Sequence, residues 1–178
     1  KMSESKFDSY EAGHSSTSLS AALGFALARD KKKEKNKVVA VIGDASISNG
    51  LSYEALNQIG EISPNMIIIL NDNNMSISEN VGAIHNYLDK LRTSKGYGKT
   101  KSRTKKVLNK IPFIGKYLVK AFHYTKESIK KIYIREGYLF EEYGINYYGP
   151  INGHDLNELE LYLNLAKNSK GPTLVHVI

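Results

Sequence analysis

Apolar residues in this chain follow two rhythms. Short unbroken runs, "VVAVI" at 38–42 and "MIIIL" at 66–70, alternate with longer stretches in which apolar positions recur every three or four residues. Runs this short, rich in β-branched residues, predict strands buried on both faces, as in a parallel sheet. "GINYYGP" over 144–150 and the closing "GPTLVHVI" read as two further strands. Residues 17–30 place Leu19, Ala22, Leu23, Ala26 and Leu27 on one helical stripe, with Ser15, Ser16 or Thr17 available as N-cap. Residues 51–59 predict a second helix with Gly60 at C′, before Pro64. "VGAIHNYLDKL" predicts a short helix, and residues 155–169 a leucine-rich amphipathic one. The spacing across 104–134 is helical, and Pro112 divides it in two. Strands alternating with helices, and no hairpin signal between strands, predict an α/β fold around a mostly parallel sheet.

Composition narrows the class. The 178 residues suit a single domain with a real core, and 41% hydrophobic with 24% charged residues is ordinary for a soluble globular protein. The chain has no cysteine, which excludes disulfides and thiolate metal sites. Apolar runs of about five residues fall far short of a membrane span. Residues 1–11 are polar and lack the apolar core of a signal peptide, so a cytoplasmic protein with no membrane contact is the expectation.

Charge is unevenly distributed. Residues 90–135 carry fifteen of the 25 basic residues and one acid, Glu127, so that segment is +14 and the remainder of this +7 chain is −7. A basic helical segment can track nucleic-acid phosphates. This one has no recognition motif and an apolar stripe suited to packing, so it reads as a basic insertion rather than a nucleic-acid module. Within it, residues 92–103 combine seven basic or glycine positions with no acid and predict a mobile loop.

The candidate chemistry lies where the first two strands end. "VVAVIGDASISNG" stops abruptly at Gly43-Asp44, and a carboxylate at the rim of a dry core is costly unless paired. Asp44 therefore either caps the next helix or binds a cation. The second strand ends in Asn71, Asp72 and Asn73, and Asn73 lies 29 residues beyond Asp44, one strand–helix–strand unit. If the strands are neighbours, both side chains reach one point above the sheet, where ligands of open α/β folds collect. A carboxylate, an amide oxygen, a backbone carbonyl and phosphate oxygens form a hard donor set suited to Mg²⁺. The helix N-terminus near Gly50 adds N–H groups for a phosphate. On these residues alone, a metal-assisted phosphate or diphosphate site stands beside the plainer alternative, in which Asp44 is an N-cap and the asparagines turn the chain.

"GD" followed about 28 residues later by "NDN" resembles the thiamin-diphosphate motif. "AGHSSTSLSAALGFALARD", "VVAVIGDASISNGLSYEALNQIGE", "MIIILNDNNMSISENVGAIHNYL" and "YYGPINGHD" together resemble the 1-deoxy-D-xylulose 5-phosphate synthase family, from about residue 4 to the end. The resemblance implies a thiamin-diphosphate-binding fold, with residues 1–178 forming most of the diphosphate-binding domain. It also implies a homodimeric enzyme of the non-mevalonate isoprenoid route, related to transketolase, that joins pyruvate to glyceraldehyde 3-phosphate with loss of carbon dioxide. By the same resemblance, Asp44, Asn73 and the carbonyl of Met75 hold Mg²⁺. Ala45, Ser46 and Asn73 meet the cofactor's diphosphate, and Gly13, His14 and Ser15 lie close to it. His14 is then a donor to a phosphate or a reacting oxygen.

The sequence departs from the family pattern at two nearby positions. Ala45 stands where glycine is usual, costing roughly 1 kcal/mol if its φ is positive and almost nothing if it is negative. Asn74 stands where an acid is more usual. The family's cofactor-activating glutamate, an N-terminal histidine region and a lysine- and glycine-rich segment fall outside this chain, so the chain alone is expected to be inactive. Transketolase or a 2-oxoacid dehydrogenase component is the nearest enzymatic alternative. His85, His123, His154 and His176 receive ordinary structural readings: a helix surface, a basic helical neighbourhood, a turn before a helix, and an alternating strand position. The tyrosines of 133–148 read as packing under the sheet.

Overall fold

The computed structural model describes residues 2–73, 82–93 and 137–178. Helix α1 (Ser18–Lys31) leads to strand β1 (Val39–Gly43), then a single turn, α2 (Asp44–Ile47), and helix α3 (Gly50–Ile62). Strand β2 (Ile67–Asn71) and helix α4 (Ala83–Thr93) follow. Short helix α5 (Tyr138–Glu142), strand β3 (Asn146–Ile151), helix α6 (Leu156–Asn168) and strand β4 (Thr173–Val177) complete the described elements. The four strands form one sheet in the order β1-β2-β4-β3, and every pairing is parallel. The expected α/β architecture is present.

One face of the sheet carries the main core. Ala40, Ile42, Ile68, Leu70 and Leu174 pack there against Leu19, Ala22 and Ala26 of α1, Ala55, Leu56 and Ile59 of α3, Leu88 and Leu91 of α4, and Phe140. Each such side chain contributes roughly 1.5–3 kcal/mol by leaving water. The other face is smaller: Ile67, Ile151, Val175 and Val177 meet Ala166, Leu159 and Tyr162 of α6. Arg29 is buried at the end of α1, and its guanidinium donates to the carbonyls of Asn65 (2.7 Å) and Asn36 (3.3 Å). It thereby ties together the segments that enter β2 and β1.

Several expectations require correction. β1 is not buried on both faces: Val39 and Val41 are 49% and 63% exposed. Among the described residues β1 is an edge strand, and α6 covers the far end of the sheet near β3 and β4. Of the four described strands only β4 is buried at every position. Leu27 lies at the margin of its stripe and is exposed, as are Leu156, Leu161 and Leu165 of α6. Thr17 occupies the N-cap position of α1 without capping it, because its hydroxyl turns back to the His14 carbonyl at 3.2 Å. Arg92 and Thr93, expected in a mobile loop, close α4. The rest of that loop and the helices expected over 104–134 lie outside the described residues.

Gly60 does not terminate α3. The helix continues to Ile62 and stops at Ser63, whose left-handed backbone (φ 54°) brings its N–H to the Ile59 carbonyl at 2.9 Å before Pro64. Gly60 instead admits the backbone of Tyr143, whose carbonyl oxygen occupies the space a Cβ would need. Helix propensity alone favours alanine over glycine by about 1 kcal/mol, but here the clash is with backbone that has little freedom to move. Gly60→Ala in the full-length protein is expected to destabilise by about 1–3 kcal/mol, read as a lower melting temperature. An unchanged or raised melting temperature would contradict the close approach.

Candidate functional site

β1 and β2 run in register, Gly43 opposite Asn71, and β4 brings Val177 to the same level. The chain therefore leaves three strands along one rim. Asp44 emerges from β1 beside Asp72 and Asn73 from β2; both aspartates are buried and Asn73 is exposed. Asp44 is not an N-cap. The cap position of α2 is Gly43, with no side-chain cap bond. α3 is capped by Asn49, whose Oδ1 accepts the Leu51 N–H at 3.0 Å. Asp44 is only 4% exposed, and a buried carboxylate at the end of a strand is chemically suited to a hard cation.

The expected phosphate donors at the start of α3 are less available than the sequence indicates. Leu51 N–H is taken by Asn49 Oδ1, and the N–H groups of Ser52 and Tyr53 bond to the Asn49 carbonyl. The intervening turn α2 has no counterpart in the sequence reading. It places Ala45 in helical conformation, outside the positive-φ residues, so alanine there brings no backbone strain.

The "GHSS" stretch reaches the same rim through a residue the sequence reading passed over. Ser52, fully buried on α3, donates its hydroxyl to the Ser46 carbonyl at 2.8 Å, with the Ser16 carbonyl at 3.4 Å. One hydroxyl thus joins the turn after Asp44 to the loop holding Gly13, His14 and Ser15, all exposed. Ser16 has a left-handed backbone (φ 72°) and is buried. An open depression of about 620 Å³, lined by Asp8, Tyr10, Glu11, Ala12 and Gly13, adjoins this loop. The signal for Ser52 was a serine on the apolar face of α3.

His176, expected as an alternating position in the last strand, has buried polar partners. It is fully buried, with Nε2 2.9 Å from Asp72 Oδ2 and Nδ1 2.7 Å from the Tyr147 hydroxyl. A histidine inside an otherwise apolar, doubly covered strand was itself a signal, because a buried polar ring must find partners. His154 is exposed and contributes a backbone N–H to Asn152 Oδ1 (3.0 Å); Asp155, not His154, caps α6. Tyr147 and Tyr148 are half-buried as expected, whereas Tyr138 is exposed.

The donor chemistry fits a hard cation shared with phosphate. Among the described residues, no three of His, Cys, Asp and Glu cluster as a metal site. The assignment to Asp44 and Asn73 needs one carboxylate and one amide oxygen, with the remaining oxygens from backbone and ligand. Met75 and Asn74 lie outside the described residues. Burial, then the neighbouring Tyr143, raises the Tyr53 hydroxyl above its ordinary pKa; burial raises Tyr87.

Comparison with known proteins gives a consistent result. A family described as 1-deoxy-D-xylulose-5-phosphate synthase matches residues 1–178. Proteins of that name from Lysinibacillus sphaericus and Syntrophomonas wolfei are 52% and 50% identical over the whole chain. The chain spans 28% of the length of each. Transketolase from Campylobacter jejuni superposes with a TM-score of 0.59 at 22% identity, over 93% of this chain and 20% of that one, which shows a shared fold. Matched along its full length, the chain belongs to the 1-deoxy-D-xylulose-5-phosphate synthase family.

Proposed function

We propose that the full-length protein condenses pyruvate with D-glyceraldehyde 3-phosphate, giving 1-deoxy-D-xylulose 5-phosphate and carbon dioxide, and that residues 1–178 form part of its diphosphate-binding domain. The names of the relatives support the reaction. The observation that carries the site is Asp44, a buried carboxylate that caps no helix, at the strand end beside Asn71, Asp72 and Asn73.

In this reading Asp44, Asn73 and the Met75 carbonyl hold Mg²⁺. Ala45, Ser46 and Asn73 meet the diphosphate, and Gly13, His14 and Ser15 border it, with His14 a donor to a phosphate or reacting oxygen. Bound there, thiamin diphosphate supplies the carbanion chemistry that joins the substrates. This chain's own contribution is to bind and orient. Asp44 offsets the cation's charge, and Ser52 keeps the "GHSS" loop against the turn that follows Asp44. The transketolase likeness is one of fold, and the whole-chain family match favours the synthase over it.

We take the full-length protein to be a cytoplasmic homodimer. Among the described residues no helix is long and apolar enough to cross a membrane. The uncovered Val39 and Val41 leave an apolar face for further contacts. A nucleic-acid role for the basic segment has no support in its described part, where Arg92 pairs with Asp89 and approaches Asp72.

Asp44→Ala in the full-length protein is expected to weaken Mg²⁺-dependent thiamin diphosphate binding by more than about 100-fold, measured by calorimetry. Retained affinity would remove Asp44 from the site. In crystals grown with both, oxygens of Asp44 and Asn73 should lie about 2.1 Å from the ion.

Residues 1–178 alone should give no turnover. An orientation advantage on the order of several kcal/mol is lost when a cofactor is held at one end only. The assay supplies pyruvate, glyceraldehyde 3-phosphate, thiamin diphosphate and Mg²⁺; cofactor-dependent deoxyxylulose phosphate from this chain would show that the active site is built within it.

A further inference from the structure

We propose that His176 is a positioning residue for the metal–diphosphate site: held by Tyr147, its imidazole fixes Asp72 and, through it, the strand end that carries Asn73. The inference rests on the reading of Asn73 as a ligand and extends it to residues that touch neither metal nor cofactor.

Asp72 is held at two points by consecutive residues of β4. Its N–H donates to the Val177 carbonyl at 2.8 Å, and its Oδ2 faces His176 Nε2 at 2.9 Å. The first bond sets where the backbone lies and the second sets how the side chain is turned. Asn73 is the next residue, so its placement follows from both. Arg92 of α4 approaches the other carboxylate oxygen, with Nη1 3.9 Å from Oδ1.

The imidazole is held in turn. A carboxylate only accepts, so Nε2 carries the hydrogen; in the Nε2–H tautomer Nδ1 accepts from the Tyr147 hydroxyl at 2.7 Å. The bonds run in one direction, from Tyr147 O–H to Nδ1 and from Nε2–H to Asp72. Tyr147 stacks parallel on Phe140 at 5.8 Å and meets the His176 ring edge-on at 6.1 Å. Beside His176 the backbone of Gly149 approaches so closely that a Cβ there would lie 2.6 Å from the His176 carbonyl oxygen. The ring is fully buried, with one nitrogen against Tyr147 and the other against Asp72. An apolar side chain could fill this space without the desolvation cost of a buried imidazole and carboxylate. The polar chain makes sense as an orienting device, since partners behind a ligand set its geometry.

The test uses full-length protein and measures Mg²⁺ affinity with thiamin diphosphate present, by calorimetry, together with imidazole ¹⁵N shifts of selectively labelled apo protein. His176→Leu is expected to weaken Mg²⁺ binding roughly 10- to 100-fold, whereas His176→Gln, which keeps an N–H toward Asp72, should stay within about threefold of wild type. In wild type the shifts should report the Nε2–H tautomer, and Tyr147→Phe should perturb them and weaken Mg²⁺ binding. Equal losses in the leucine and glutamine variants would reduce His176 to packing and overturn the proposal. So would a folded His176→Leu that binds Mg²⁺ as wild type does. If His176→Leu does not fold, Tyr147→Phe decides: unchanged shifts and unchanged affinity overturn the proposal. Asp44→Ala separates the two readings. Full Mg²⁺ affinity in that variant overturns the site assignment and this inference with it; loss there alongside neutral His176 and Tyr147 variants overturns this inference alone.

Discussion

Parallel pairing in register is the constraint on which the candidate site depends. Gly43, Asn71 and Val177 stand at one level across β1, β2 and β4, so the residues that follow each strand emerge on a single rim. α3 between β1 and β2, and α6 between β3 and β4, return the chain to the starting end of the sheet, so these parallel strands finish at the same end. Separation along the chain becomes unimportant. Asp72 and His176, 104 residues apart, come within hydrogen-bonding distance because their strands are neighbours.

The two rims of the β1–β2 pair are organised by different buried groups. Where the strands begin, Arg29 gathers the carbonyls of Asn36 and Asn65, the last irregular segments before β1 and β2. Where they end, Asp72 is held by β4 through both its backbone and its side chain. A buried guanidinium and a buried carboxylate are both expensive unless satisfied. Their placement at the sheet ends leaves the apolar interior of the sheet undisturbed. Ser52 acts at smaller scale on the exit rim, joining loops from either side of α1 with one hydroxyl.

The coverage of the sheet is asymmetric. Among the described residues, α1, α3 and α4 bury one face across most of its width, while α6 packs on the other from β3 and β4 as far as Ile67 of β2. Val39 and Val41 remain open on β1, and α6 exposes Leu156, Leu161 and Leu165 outward.

Element types were legible in the sequence because they arise from local geometry. A five-residue apolar run and a stripe repeating every three or four residues announce strand and helix over a few positions, whatever lies elsewhere. The polar ends of the first two strands, Asp44 and Asn71 to Asn73, were legible for the same reason: they interrupt those runs. What required the tertiary structure was everything set by a partner distant in sequence. Gly60 reads as a helix stop until the Tyr143 carbonyl is seen against it. Val41 reads as buried until the edge position of β1 is known. His176 reads as one more strand residue until register and packing set it between Tyr147 and Asp72. Backbone preference acts over a turn or two of chain, whereas a hydrogen bond across 104 residues exists only once the order of the strands has been decided.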